Sequence, residues 1–207
     1  MSITSRTIAI VLAMALVAVI SLAGTRAVFS VQTSNATNSF ATGDIDLTDD
    51  DGGSTIMFSV VGMFPGDTVE HCIGVTYSGP NGQATNGVKI YVPSFTDSLN
   101  LADDLIVTIE EGAKPGVGFL PSGTRTGAGD GLSCAGFANS ATIVTALDLS
   151  DPGFPTSYAT GSGTWTPGAS NPETLTYKIT VTLDSASTAE GQSVTLIPFT
   201  WEVQAGS

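Results

Sequence analysis

Apolar and polar residues alternate with a period of two over long stretches of this chain. In the segment TLTYKITVTLD, five apolar residues share one parity: Leu175, Tyr177, Ile179, Val181 and Leu183. Threonine and lysine side chains occupy the other parity. Because successive side chains of a strand point to opposite faces, this pattern predicts a half-buried antiparallel strand of about nine residues.

Similar runs predict a protein built almost entirely of strands. Further strands are expected at 55–61, 67–77, 87–92 and 104–110, and weaker β segments at 117–120 and 141–146. The last run, 194–203, changes parity beside Pro198, which predicts a bulge or an edge position because proline has no N–H for the ladder. Short helical turns are expected near 99–103 and after Ala186. Many short strands separated by Gly- and Pro-rich turns predict a jelly-roll-like antiparallel β-sandwich over residues 44–207.

The N-terminal segment has the pattern of a secretory signal. Residues 8–24 carry no charge, Arg6 precedes them, and Thr25 and Ala27 are small residues at the −3 and −1 positions of a cleavage site. The apolar run is shorter than the ~20 residues that span a bilayer comfortably. We therefore expect a signal peptide over residues 1–27, cleavage between Ala27 and Val28, and a secreted protein. An uncleaved membrane anchor is the alternative interpretation.

The charge balance excludes one class of partner. Six basic residues against 19 acidic residues give a net charge of −13. Removal of residues 1–27 would take away Arg6 and Arg26 and leave 4 − 19 = −15. A surface with this charge repels phosphate backbones, so no nucleic-acid partner is expected.

The two cysteines fit an exported protein. Cys72 and Cys134 are the only cysteines, and both lie after the signal segment. Outside the cell an even number of cysteines favours disulfide pairing. A metal or redox site would need more ligands or a C-x-x-C spacing, and the sequence has neither.

Candidate catalytic and metal-binding residues are few. His71 is the single histidine, and neither H-E-x-x-H nor G-x-S-x-G occurs, so we expect no catalytic residue and no cofactor. Asp49, Asp50 and Asp51 precede two glycines and are weak candidates for a calcium site. Because their spacing does not match D-x-D-x-D-G, we interpret them as part of a solvated acidic loop between two strands.

A set of motifs near the N-terminus resembles a known family. An F-S dipeptide at Phe29 follows the cleavage site, and FATGDIDL, of the form F-x-x-G-x-I-D-L, begins at Phe40. P-G-D follows at Pro65. This order is similar to that of the TasA/camelysin family, as are the C-terminal stretches 177–183 and 199–202. Val31 departs from the acidic residue that family members often have there, and the cysteine pair is not a feature of the best-known members.

The resemblance implies a structural protein. It implies a jelly-roll subunit of fibres in a biofilm matrix or at the cell surface, exported through a dedicated SipW-like signal peptidase. Subunits would be copies of this chain, joined when the mature N-terminal segment, 28–43, inserts as a β-strand into its neighbour; an accessory or anchoring subunit is a further expected partner. The donor residues would be Val28, Phe29, Val31 and Phe40. The alternatives are a calcium-binding adhesion module and a camelysin-like metalloprotease.

Overall fold

The protein is nearly all β, and its strands pair antiparallel. The computed structural model describes residues 30–34, 45–50, 63–79, 85–97, 100–113, 134–167, 171–189, 194–195 and 197–205. The described strands are β1 (Ser30–Ser34), β2 (Asp46–Asp49), β3 (Thr68–Ser78), β4 (Thr85–Tyr91), β5 (Thr96–Asp97), β6 (Leu105–Gly112), β7 (Asn139–Asp148), β8 (Glu173–Leu183), β9 (Val194–Thr195) and β10 (Thr200–Ala205). The helix in this part of the chain is one 3₁₀ turn, Leu101–Asp103. No helix among the described residues is long and apolar enough to cross a membrane.

Two larger sheets share one hydrophobic core. The described strands follow the order β1-β10-β4 in one sheet and β2-β3-β8-β6-β7 in the other, and β5 and β9 form a small separate pair. Fully buried side chains come from both large sheets: Val88, Ile90, Trp201 and Val203 from the first, and Ile73, Val75, Tyr177 and Ile179 from the second. The Tyr177 and Trp201 rings lie 5.7 Å apart, so aromatic packing joins the two sheets.

Strand β8 lies inside the five-stranded sheet and confirms the clearest sequence pattern. It spans 11 residues rather than nine, and it pairs with β3 on one side and β6 on the other. Leu175, Tyr177, Ile179 and Leu183 are buried against the core, as their parity predicts. The residues of the other parity are polar because the face of β8 away from the core is only partly covered.

The other strand predictions are met where the structure describes the chain. The runs at 67–77, 87–92, 104–110 and 141–146 correspond to β3, β4, β6 and β7 with small shifts of their ends. The helical turn near 99–103 corresponds to Leu101–Asp103. Residues 184–189 form a turn rather than a helix, closed by the Ser187 N–H on the Asp184 carbonyl. The segments 55–61 and 117–120 lie outside the described residues.

The C-terminal run is divided between two sheets, which corrects the expectation of one strand with a bulge or an edge position at Pro198. Val194–Thr195 pairs with β5, whereas Thr200–Ala205 lies between β1 and β4. Residues 197–199, including Pro198, lie outside the strands. The parity change is therefore the passage from one sheet to another, because proline ends the first ladder.

Part of the acidic segment is a strand rather than the solvated loop that its charges suggest, whereas Asp50 lies in a turn and Asp51 lies outside the described residues. Asp46–Asp49 forms β2, which pairs with β3 from Ser78 to Val75. The reason is the alternation of acidic residues with Ile45 and Leu47, which are 4% and 2% exposed in the core. Burial of two large aliphatic side chains contributes roughly 1.5–3 kcal/mol each, enough to hold the segment in the sheet.

Candidate functional site

The N-terminal strand lies at the edge of a sheet beside the C-terminal strand. Within the described residues, β1 has one neighbour, β10, and pairs with it antiparallel from Ser30 opposite Gln204 to Ser34 opposite Thr200. The other side of β10 pairs with β4. Because β1 lies at the edge of this order, its departure would leave the order of the other described strands unchanged.

Removal of β1 would leave β10 as an acceptor edge. The side chains of Trp201 and Val203 are fully buried on the core side of β10. On the opposite side Glu202 is 4% exposed, accepts a hydrogen bond of 2.7 Å from the Tyr91 hydroxyl and another of 3.0 Å from Gln204 Nε2. Side chains on both faces of β10 are thus packed, while its main-chain groups pair with β1 on one side and β4 on the other.

The predicted donor residues lie partly outside the described chain. Val31 is in β1, opposite the buried Val203. Val28, Phe29 and Phe40 lie outside the described residues, as do Ala27 and the whole signal segment. In the single chain, the described part of the donor segment therefore completes the sheet of its own molecule. Insertion into a second molecule stays a prediction.

The P-G-D motif forms a tight turn before β3. Pro65 and Gly66 occupy the central positions, and Gly66 has φ +91°, a conformation that strongly favours glycine. The Asp67 N–H donates to the Phe64 carbonyl (2.9 Å), and the Asp67 carboxylate accepts from the Phe64 N–H (2.8 Å). The Gly66 N–H donates to the Leu183 carbonyl at 2.8 Å, which fixes the turn to the end of β8. All three residues of the motif therefore take part in forming this turn.

The two cysteines lie at disulfide distance, as the sequence predicts. Cys72 and Cys134 are joined with a Cα–Cα distance of 5.3 Å. Cys72 is fully buried in β3, opposite Lys178 in the register of β8. The bond therefore fixes the segment that precedes β7 onto the face of the five-stranded sheet away from the core.

Two of the three weak metal candidates lie within the described residues. Asp49 is at the end of β2 and Asp50 follows it, with its N–H on the Gly74 carbonyl at 3.0 Å; Asp51 lies outside the described residues. His71 is half-buried in β3, opposite Ile179. Among the residues that the structure describes, no three His, Cys, Asp or Glu side chains are grouped to hold a metal ion.

Sequence reasoning missed the neighbours of β10. The β10 residues read as an ordinary terminal strand, and nothing local indicates that β1 is their neighbour. The sequence also does not indicate that Glu202 is buried, because a glutamate in an alternating strand is expected to face water. The signal that could have found it is Tyr91, whose parity in β4 places its hydroxyl on the same face as Glu202.

These observations define the protein as an antiparallel β protein with a disulfide and with its N-terminal strand at the sheet edge beside its C-terminal strand. Comparisons with family models, with curated proteins and with solved structures find no match for this chain. Its function must therefore be inferred from its own residues.

Proposed function

We propose that this protein is a secreted structural subunit that polymerises into matrix or cell-surface fibres by exchange of its N-terminal strand. The observation that carries the proposal is the position of β1, which is the first of the described strands in the chain and lies at the edge of its sheet among the described strands. A copy in which β1 leaves β10 offers its own β10 edge to the β1 of a neighbour. Repetition of that step in one direction gives a filament.

The energetics of exchange favour this use of β1. The ladder that β1 makes with β10 in one chain can be made again, bond for bond, with the β10 of another. Exchange therefore loses none of the main-chain hydrogen bonds, each of which contributes about 1 kcal/mol net. Residues 28–29 and 35–43 would add to the inserted strand, and Phe29 is the largest apolar side chain near its free end. Burial of an aromatic ring contributes roughly 2–3 kcal/mol, which offsets part of the entropy lost on association.

The strand order supports the jelly-roll form of the fold. Segment 155–165 follows β4 with hydrogen bonds from Val88, Ile90 and Val92 to the carbonyls of Trp165, Ser162 and Pro155. The first sheet then reads β1-β10-β4 followed by this segment, and the second contains β3-β8-β6-β7. When the short strands β2, β5 and β9 are set aside and segment 155–165 is counted as a strand, eight remain. The first of the eight then pairs with the last (β1 with β10) and the second with the seventh (β3 with β8), as in a jelly roll.

The export features and the motif order support the same proposal. The signal-like segment and the cysteine pair are typical of proteins that act outside the cell. The motifs at Phe29, Phe40 and Pro65 resemble those of the TasA/camelysin family, whose members form fibres. In this chain the P-G-D motif at Pro65 has a structural role, because its turn fixes the start of β3.

Fibre formation by the mature chain tests the proposal. We expect secreted protein to begin at Val28 by N-terminal sequencing and to form regular fibres by electron microscopy. Deletion of residues 28–38 should abolish fibres and leave a soluble monomer with an unchanged circular dichroism spectrum. Phe29→Asp should weaken polymerisation severely. Phe64→Asp is the matched control, because Phe64 is 74% exposed in the turn before β3 and should leave fibres unaffected.

Two results would contradict donor-strand exchange. The first is normal fibres from the deletion variant. The second is an unfolded deletion variant, which would make β1 an ordinary strand that its own sheet needs. A synthetic peptide of sequence 28–38, added to the deletion variant, should bind to the vacated β10 edge and raise its melting temperature.

A further inference from the structure

A row of side chains crosses the five-stranded sheet on the face away from the core. Cys72 in β3 lies opposite Lys178 in β8, and Lys178 lies opposite Glu110 in β6. Glu110 in turn lies opposite Thr142 in β7. Directly opposed residues of antiparallel strands share a face, so the four side chains are neighbours in one line.

At the end of this row, one carboxylate contacts an amine and a carboxamide. Lys178 Nζ lies 2.5 Å from Glu110 Oε2. The other oxygen of Glu110, Oε1, accepts a hydrogen bond from Asn139 Nδ2, which also donates to Thr142 Oγ1 at 3.1 Å. Glu110 therefore brings the Lys178 amine and the Asn139 amide group together from strands on either side of its own.

Two members of the group are partly shielded from water, whereas Asn139, at the start of β7, is exposed. Lys178 and Glu110 are only 22% and 15% exposed, and the Phe137 ring lies 5.3 Å from Lys178 Nζ. A Cβ on Gly112 would meet the Phe137 ring at 3.2 Å, so glycine leaves room for this ring over the sheet. The disulfide from Cys72 to Cys134 anchors the segment that carries both Phe137 and Asn139. An apolar cover of this kind strengthens the electrostatic and proton-transfer interactions beneath it.

We propose that Lys178 and Asn139 become joined by an intramolecular isopeptide bond, with Glu110 as the catalytic carboxylate. Glu110 accepts a proton from the Lys178 ammonium, and the neutral amine attacks Cγ of Asn139. Glu110 then returns that proton to Nδ2, which leaves as ammonia when the Cγ–Nδ2 bond breaks, and the second proton that Nζ loses as the amide forms passes to this ammonia. The Nζ–Cγ amide replaces the Cγ–Nδ2 amide, ammonium is the released product, and no oxidant or co-reactant is needed.

The bond would fasten β7 to β8 across β6. Strand β7 is at the edge of its sheet among the described strands, and its ladder with β6 is interrupted by three register shifts. A covalent link at Asn139 would hold this irregular edge in place under load. The inference is independent of strand exchange, because it concerns the other sheet and a bond within one chain.

Intact mass spectrometry of reduced, denatured mature protein tests the inference. The wild-type chain is expected to be lighter than its sequence by one ammonia. Lys178→Arg, Asn139→Ala and Glu110→Gln should each have the full mass of their sequences. Lys89→Arg is the matched control, since Lys89 Nζ donates to the Gly163 carbonyl at 2.7 Å and has no part in the reaction; it should keep the ammonia loss.

Peptide mapping separates this bond from other losses of ammonia. After reduction and cleavage at glutamate, peptides 112–173 and 174–190 should be recovered as one covalently joined species. A succinimide at Asn81-Gly82 or Asn86-Gly87 also releases ammonia but leaves these two peptides separate. Wild-type protein of full mass, or separate peptides in folded wild-type protein, would overturn the inference.

Discussion

At the scale of single residues, the unusual feature is the burial of glutamates in a strongly acidic chain. Glu111, Glu173 and Glu202 are 2–4% exposed. Each has a neutral donor: the Thr164 N–H for Glu111 (2.9 Å), Trp165 Nε1–H for Glu173 (2.9 Å) and the Tyr91 hydroxyl for Glu202 (2.7 Å). A buried charge is tolerated only when such bonds replace water, so these donors have large effects on stability.

Two tyrosines should therefore respond differently to loss of the hydroxyl. Tyr91→Phe removes a donor from the buried Glu202 and should lower the free energy of unfolding by roughly 1–3 kcal/mol. Tyr77 is equally buried, but its hydroxyl has no hydrogen-bond partner among the described residues. Tyr77→Phe should thus be neutral or stabilising. Urea unfolding of both variants checks the contrast, and equal losses would contradict it.

The buried tyrosines also predict a loss of stability in alkali. Burial, and secondly the carboxylates of Glu173 and Glu111, raise the pKa values of Tyr77 and Tyr177 respectively above their usual 10.0. Above about pH 10, the unfolded chain binds fewer protons than the native chain, so the free energy of unfolding falls as pH rises. Below that pH, the two states hold the same tyrosine protons and these residues contribute no slope.

Urea unfolding at a series of pH values measures this slope. Tyr77→Phe, which removes one of the two groups, should make the alkaline decline shallower. A free energy of unfolding that stays flat above pH 10 would show that both tyrosines ionise as readily in the folded chain.

At the scale of elements, β2 shows how charged residues can belong to a strand. Its acidic side chains alternate with Ile45 and Leu47, and the buried pair decides the conformation. We therefore expect the acidic side chains to contribute little to the free energy of folding.

A triple change of Asp49, Asp50 and Asp51 to Asn tests this division. The melting temperature should stay nearly the same, with and without calcium, because the buried Ile45 and Leu47 rather than the charges hold this segment in the sheet. Leu47→Ala is the contrasting variant and should cost about 2–5 kcal/mol, because it opens a cavity in the core. A calcium-dependent rise in the wild-type melting temperature that the triple variant loses would instead support the adhesion-module alternative.

At the scale of the whole molecule, the disulfide joins positions that are 62 residues apart in sequence. A cross-link over a loop of this length stabilises by about 4 kcal/mol, mainly because it restricts the unfolded chain. Cys72→Ser together with Cys134→Ser should therefore lower the free energy of unfolding by roughly 2–5 kcal/mol. Mass spectrometry under non-reducing conditions should find no free thiol in wild-type protein. Two alkylatable thiols in the folded chain would contradict the pairing.

The sequence by itself determined the strands and the sides of each strand that face the core. Period-two alternation located β3, β6, β7 and β8, and it placed Tyr177 and Ile179 inside. The P-G-D motif proved to lie at the turn before β3, where the backbone conformation of Gly66 favours glycine. These features are local, and each depends on a few neighbouring residues, so a linear pattern is sufficient to reveal them.

Only the tertiary structure decided which strands are neighbours. Alternation shows which face of a strand is apolar but not which strand lies beside it, because register depends on packing across the whole core. The pairing of β1 with β10, the membership of the acidic segment in β2, and the meeting of Lys178, Glu110 and Asn139 all join residues far apart in the chain. Their chemistry arises from proximity, and proximity is set by how the two sheets fold over one core.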